Sequence, residues 1–126
     1  MPTVDALYEQ DGPLAFLTFN RPEARNAMTW NMYQAVVEAC DTVESDSSVR
    51  VLILRGTGGK AFVSGTDISQ FQSFDSPEDG IDYERRLDDV MDRLETVTTP
   101  TIAQIDGFAT GGGAALAAAC DLRVCT

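Results

Sequence analysis

The sequence predicts an α/β fold of largely parallel strands joined by helical crossovers. Three observations carry that reading. The first is Val51-Leu52-Ile53-Leu54, a continuous aliphatic run of the kind found in a strand covered on both faces. The second is the alternation of such runs with segments of helical apolar spacing, in the order β-β-α-β-α-β-α-β, which favours crossover connections between parallel strands. The third is size and composition: 126 residues, 44% hydrophobic and 23% charged, suit one compact domain with a buried core.

Residues 6–10 and 14–19 read as two strands joined through Asp11-Gly12, a pair that accepts the positive φ of a hairpin turn. The polar stretch Asn20-Arg21-Pro22-Glu23-Ala24-Arg25-Asn26 contains a proline unsuited to a ladder and leads to Thr29, a helix N-cap. From Trp30, residues Met32, Val36, Ala39, Cys40 and Val43 recur at helical spacing until Ser45-Asp46-Ser47-Ser48 ends the helix. After strand 51–54, Gly56-Thr57-Gly58-Gly59 breaks the chain, and Phe62 to Asp67 reads as a loop into a short segment, 68–74. Ser76-Pro77-Glu78-Asp79 combines an N-cap serine, proline at the first helical position and an acid three residues past the cap. The helix it opens buries Tyr83, Leu87, Val90, Met91 and Leu94 and stops before Thr98-Thr99-Pro100. A strand at 101–105, a turn at Asp106-Gly107, a small-residue helix at 111–119 and a strand at 122–125 complete the order. That last apolar strand should need cover on both faces, so residues 1–126 read as one domain that is incomplete.

Nine basic against twenty acidic side chains give a net charge of −11, which argues against a nucleic-acid partner. The chain has no histidine. Catalytic triads, Cys-His pairs and histidine-built zinc sites are therefore excluded, and no metal site is expected. Cys40, Cys120 and Cys125 are odd in number, lack metal-ligand spacing and lie in apolar runs, so they read as reduced, buried thiols of a cytoplasmic protein. Neither a signal peptide nor a membrane-spanning run is visible.

Two junctions are candidates for chemistry. Gly111-Gly112-Gly113 opens a helix, where free N–H groups and the helix dipole suit a developing oxyanion; equally, three glycines and the following alanines permit tight packing. Ser64-Gly65-Thr66-Asp67 is either a second such site or an ordinary strand-to-helix turn. Gly56-Thr57-Gly58-Gly59-Lys60 lacks the spacing of a phosphate-binding P-loop, since Ala61 follows the lysine.

Three blocks occur in order: residues 17–28 (LTFNRPEARNAM), residues 60–68 (KAFVSGTDI), and Pro100 through Asp106-Gly107-Phe108-Ala109-Thr110-Gly111-Gly112-Gly113 to Cys120-Asp121-Leu122. Together they resemble the enoyl-CoA hydratase/isomerase (crotonase) superfamily over nearly the whole chain. The resemblance implies a crotonase-like spiral of ββα units, of which this is the N-terminal portion, assembled as a homotrimer or hexamer. It further implies an acyl-CoA substrate, with coenzyme A as part of that substrate and no separate cofactor. The thioester oxygen would sit between the backbone N–H groups of Thr66 and Gly112. The loop backbone near Ser64 and Asp67 would receive the adenine end, Ile68 would be a substrate-binding residue, Ala27 would lie in the pantetheine wall, and Arg25 would meet a phosphate or simply be solvated. The position where hydratases of the family carry a glutamate is Ala115, which cannot act as a general base. Glu84 and Asp88 are substitutes or merely a solvated helix face. Three functions follow as expectations: a hydratase or isomerase, a weakly active or non-catalytic acyl-CoA-binding homologue, and a truncated fragment inactive alone.

Overall fold

A computed structural model describes residues 5–67 and 75–126. Residues 1–4 and the expected segment 68–74, with Ile68, lie outside them. The elements are β1 (Ala6–Asp11), β2 (Leu14–Phe19), a 3-10 turn (Pro22–Ala24), α1 (Trp30–Ser45), β3 (Val51–Gly56), β4 (Ala61–Val63), α2 (Pro77–Thr96), β5 (Thr101–Ile105), β6 (Phe108–Ala109), α3 (Gly112–Ala119) and β7 (Leu122–Cys125). The α/β class stands, with one addition. The short strands β4 and β6, absent from the sequence reading, turn the order into three ββα units followed by β7.

The main sheet has the order β1-β2-β3-β5-β7. β1 is antiparallel to β2, and β2, β3, β5 and β7 run parallel. Gly12, at φ +58°, makes the hairpin between β1 and β2. The ladder aligns Ala15 with Leu52 and Thr101, and Leu17 with Leu54 and Ala103. All six are almost completely buried, because α1 lays Met32, Tyr33, Val36, Ala39, Cys40 and Val43 against this face. The opposite face is more open: Phe16, Ile53 and Ile102 are adjacent and half-buried. The expectation that β3 is covered on both faces is thus corrected. Burial alternates along the strand, as in a sheet with helices on one side.

Helix ends follow their caps. Thr29 Oγ1 accepts from the Met32 amide at 3.3 Å, and the Asp46 carboxylate accepts from the Ser48 amide at 2.9 Å just past α1. At the start of α2 the Asp79 carboxylate accepts from the Ser76 amide at 3.3 Å. Val90 and Leu94 are the buried part of its stripe, whereas Tyr83, Leu87 and Met91 are half-buried. Arg93 ties α2 to α1 through Asp41 (2.9 Å) and Glu44 (2.8 Å), and this guanidinium holds the Glu44 carboxyl down at about 2.

β7 is exposed along its length, with Leu122 61% and Val124 54% accessible. Cys40 and Cys120 are buried, and burial lifts both thiols to about 11. Cys125 is exposed, which corrects the reading of three buried thiols: it sits on β7, the outermost strand of the sheet, instead of under a helix. Among the described residues no helix is long and apolar enough to cross a membrane.

Candidate active site

β4 and β6 pair in parallel as a separate two-stranded sheet, matching Ala61 with Phe108 and Val63 with Ala109. Parallel strands end on the same side, which is where open α/β sheets present loops to ligands. Counting on from the last matched pair, Thr66 is three residues past Val63 and Gly112 is three past Ala109. Equal offsets from one ladder bring the two loops together. Thr110 Oγ1 donates to the Ser64 carbonyl at 2.8 Å, and a Cβ on Gly111 would stand 3.6 Å from the Gly65 Cα.

The Thr66 loop is fixed by polar contacts with the segment before α1. Met28 and Thr66 form a parallel bridge: the Met28 amide donates to the Gly65 carbonyl at 2.7 Å and the Asp67 amide to the Met28 carbonyl at 2.9 Å. The Ser64 amide donates to the Arg25 carbonyl at 3.1 Å. Arg21 reaches the Ala27 carbonyl at 2.6 Å and the Asp67 carboxylate at 3.1 Å. Beneath them lies fully buried Asn26, whose amide donates to the carbonyls of Thr57 (3.0 Å) and Ala61 (2.9 Å) while its oxygen accepts from the Arg21 amide (2.8 Å). Asn26 and Arg25 both have positive φ, 58° and 52°, and asparagine is among the residues that tolerate this region.

On the Gly112 side the fit is steric. A Cβ at Gly113 would overlap the Val63 carbonyl, so glycine there lets α3 abut β4. A Cβ at Gly112 would overlap the Tyr33 hydroxyl. That hydroxyl lies 2.7 Å from Thr66 Oγ1. Tyr33 is 1% exposed, and burial pushes its phenol above the usual tyrosine range, so it stays neutral at ordinary pH.

Among the described residues, backbone hydrogen bonds engage the amides of Ser64, Asp67, Thr110, Gly113 and Ala115 but not those of Thr66 and Gly112. Gly112 is the first residue of α3, where an amide has no acceptor within the helix. A free N–H at a helix start, with a second one in the neighbouring loop, suits an oxygen that carries negative charge.

Thr66, Gly112, Ala27, Ser64 and Asp67 therefore fall in one region, with the Arg25 backbone at its edge and the Arg25 side chain exposed. Ile68 lies outside the described residues. Ala115 occupies α3 with its amide bonded to Gly111. Glu84 and Asp88 are exposed on α2, and among the described residues no hydrogen bond or ion pair links them to the two loops. No group of three or more metal-ligating side chains is found among the described residues. Sequence reasoning missed Asn26, Arg21 and Tyr33 as site-building residues. A buried tyrosine next to the apolar Met32 on α1 was the available signal; nothing in the spacing revealed where its hydroxyl reaches.

Residues 9–126 match the family model described as enoyl-CoA hydratase/isomerase. A short-chain-enoyl-CoA hydratase of Clostridium acetobutylicum is 37% identical over 120 residues, which are 95% of this chain and 46% of that one. A crotonyl-CoA hydratase of Syntrophomonas wolfei is 36% identical over 118 residues, 94% of this chain and 45% of that one. Among solved structures, an enoyl-CoA hydratase/carnithine racemase from Magnetospirillum magneticum superposes with a TM-score of 0.90 at 34% identity, covering 98% of this chain and 47% of that one. The chain spans about half the length of the curated relatives it matches.

Proposed function

Because the chain belongs to the enoyl-CoA hydratase/isomerase family, we propose that it binds an acyl-CoA thioester and stabilises the thioester enolate between the amides of Thr66 and Gly112. The observation that carries this reading is the pair of adjacent amides left without a backbone acceptor at equal offsets from one parallel ladder. When a proton leaves the carbon beside a thioester carbonyl, charge moves onto the oxygen. Donors already fixed in place stabilise that charge more than they stabilise the neutral carbonyl, and the start of α3 adds its dipole. In this reading Ala27 lies along the pantetheine, the loop at Ser64 and Asp67 receives the adenine end, and the exposed Arg25 guanidinium meets one of the phosphates. Coenzyme A is part of the substrate, and no further cofactor is invoked.

The proton itself needs a base, and alanine at position 115 supplies none. We assign an isomerase-like reaction, in which one carboxylate from outside these residues moves a proton between two carbons. The same alanine argues against hydration by two glutamates, one of them at position 115. A second reading, an acyl-CoA-binding homologue with little turnover, is favoured by the same alanine together with the exposure of Glu84 and Asp88. Assembly as a trimer or hexamer is a further expectation, checked by sedimentation. A cytoplasmic location is another, checked by fractionation, since some relatives are named as mitochondrial.

Replacing Gly112 or Thr66 with proline in the full-length protein removes one donor each. Calorimetry with a thioester-enolate analogue should then lose about 2.7–4 kcal/mol per donor. Gly112→Ala keeps the N–H and reports the steric effect on the Tyr33–Thr66 pair. Undiminished affinity in folded proline variants overturns the assignment. Assays with crotonyl-CoA and 3-butenoyl-CoA separate the remaining choices: efficient hydration of the first contradicts the isomerase reading, and tight binding with turnover of neither supports the second one.

A further inference from the structure

The Tyr33 side chain reaches both halves of the site: its hydroxyl bonds to Thr66 Oγ1 at 2.7 Å and lies against the place a Gly112 side chain would occupy. A phenol is a stronger acid than an aliphatic alcohol, and its oxygen lone pairs are partly delocalised into the ring, so in a phenol–alcohol pair the phenol is the better donor and the alcohol the better acceptor. Once Thr66 Oγ1 accepts from Tyr33, its own proton must go elsewhere. Among the described residues the Thr66 hydroxyl has no other hydrogen-bond partner. Thr66 is only half-buried, while Tyr33 is sealed beneath it in the α1 core. The proton is therefore directed away from Tyr33, toward the less buried side of the pair. A built Cβ on Gly112 would stand 3.3 Å from Thr66 Oγ1, so the hydroxyl borders the same space as the two amides.

We propose that Tyr33 is a positioning residue that orients the Thr66 hydroxyl, making this side chain a third hydrogen-bond donor to the oxygen held by the Thr66 and Gly112 amides. The inference rests on the function proposed above and adds a side-chain contribution to what is otherwise a backbone site. Three donors distinguish an oxygen bearing a full charge from a neutral carbonyl more strongly than two, so the effect belongs to the enolate and not to coenzyme binding.

The test uses the full-length protein and acetoacetyl-CoA, a 3-oxoacyl thioester whose bound enolate is read by its own ultraviolet band, with free coenzyme A as the control. Thr66→Ala and Tyr33→Phe should each lower the bound enolate-to-ketone ratio roughly three- to tenfold, the range expected for one hydrogen bond. Thr66→Ser should restore the wild-type ratio. In the Thr66→Ala background Tyr33→Phe should cost nothing further, because its route of action is already gone. Affinity for free coenzyme A, which has no thioester oxygen, should be the same in all variants; a merely structural role for Tyr33 would lower it. Losses that multiply in the double variant, or a Tyr33→Phe ratio equal to wild type, overturn the inference and leave the proposed function standing. A wild-type protein that binds neither acetoacetyl-CoA nor coenzyme A overturns both.

Discussion

The two loops that carry the proposed amide donors are built on opposite principles. The Thr66 loop is held by what its neighbours offer: the carboxamide of Asn26, the guanidinium of Arg21, and the backbone bridge to Met28. The Gly112 loop is held by what its residues lack, since Gly113 has no side chain to keep α3 away from the Val63 carbonyl. The contrast teaches that the meeting of two loops can be specified from two directions. Removing atoms should damage the first loop, and adding atoms should damage the second.

Three substitutions sharpen or break this contrast. Asn26→Ala has the largest expected effect. It leaves the Arg21 amide and the Thr57 and Ala61 carbonyls without their partner in a buried setting and puts alanine at positive φ, a loss on the order of 3–4 kcal/mol in denaturant unfolding. Gly113→Ala comes next. Its methyl meets backbone, which cannot rotate away, so a loss near the top of the roughly 1–3 kcal/mol range for overpacking is expected in the same measurement. Asp67→Asn is the smallest. Its ion pair with Arg21 is partly exposed, with side chains 22% and 18% accessible, so the midpoint should shift by less than about 1 kcal/mol. A Gly113→Ala variant as stable as wild type, or an Asn26→Ala variant no worse than Asp67→Asn, would dissolve the distinction.

Sequence reading found what periodicity and capping mark. α1 and α2 are long enough for an apolar stripe to repeat, and Thr29 and Ser76-Pro77 announce their starts. β4 and β6 escaped because strands of three and two residues contain no period to read. Their absence hid the reason the two motifs meet, although the resemblance named both motifs. The polar segment before α1 was legible as a loop, but Asn26 there carries the same signature as any turn asparagine; only its burial against Thr57 and Ala61 marks it as a joint between loops. Overestimating the cover on β3 has a similar origin. A four-residue aliphatic run does not say whether a helix or half-open space lies over Val51 and Ile53.

The equal three-residue offsets beyond the β4–β6 ladder also govern how this site can change over time. Backbone amides carry the main part of the proposed work and the Thr66 hydroxyl adds to it, so substitution at position 66 tunes the site, whereas a change in the number of residues dismantles it. A single inserted or deleted residue between Val63 and Thr66, or between Ala109 and Gly112, carries one amide past the other by about one strand step of 3.3 Å, longer than the hydrogen bond it would need to make. Substitution that keeps the donors is the open route on the Thr66 side, glycine is required at positions 112 and 113, and length change is closed to both loops.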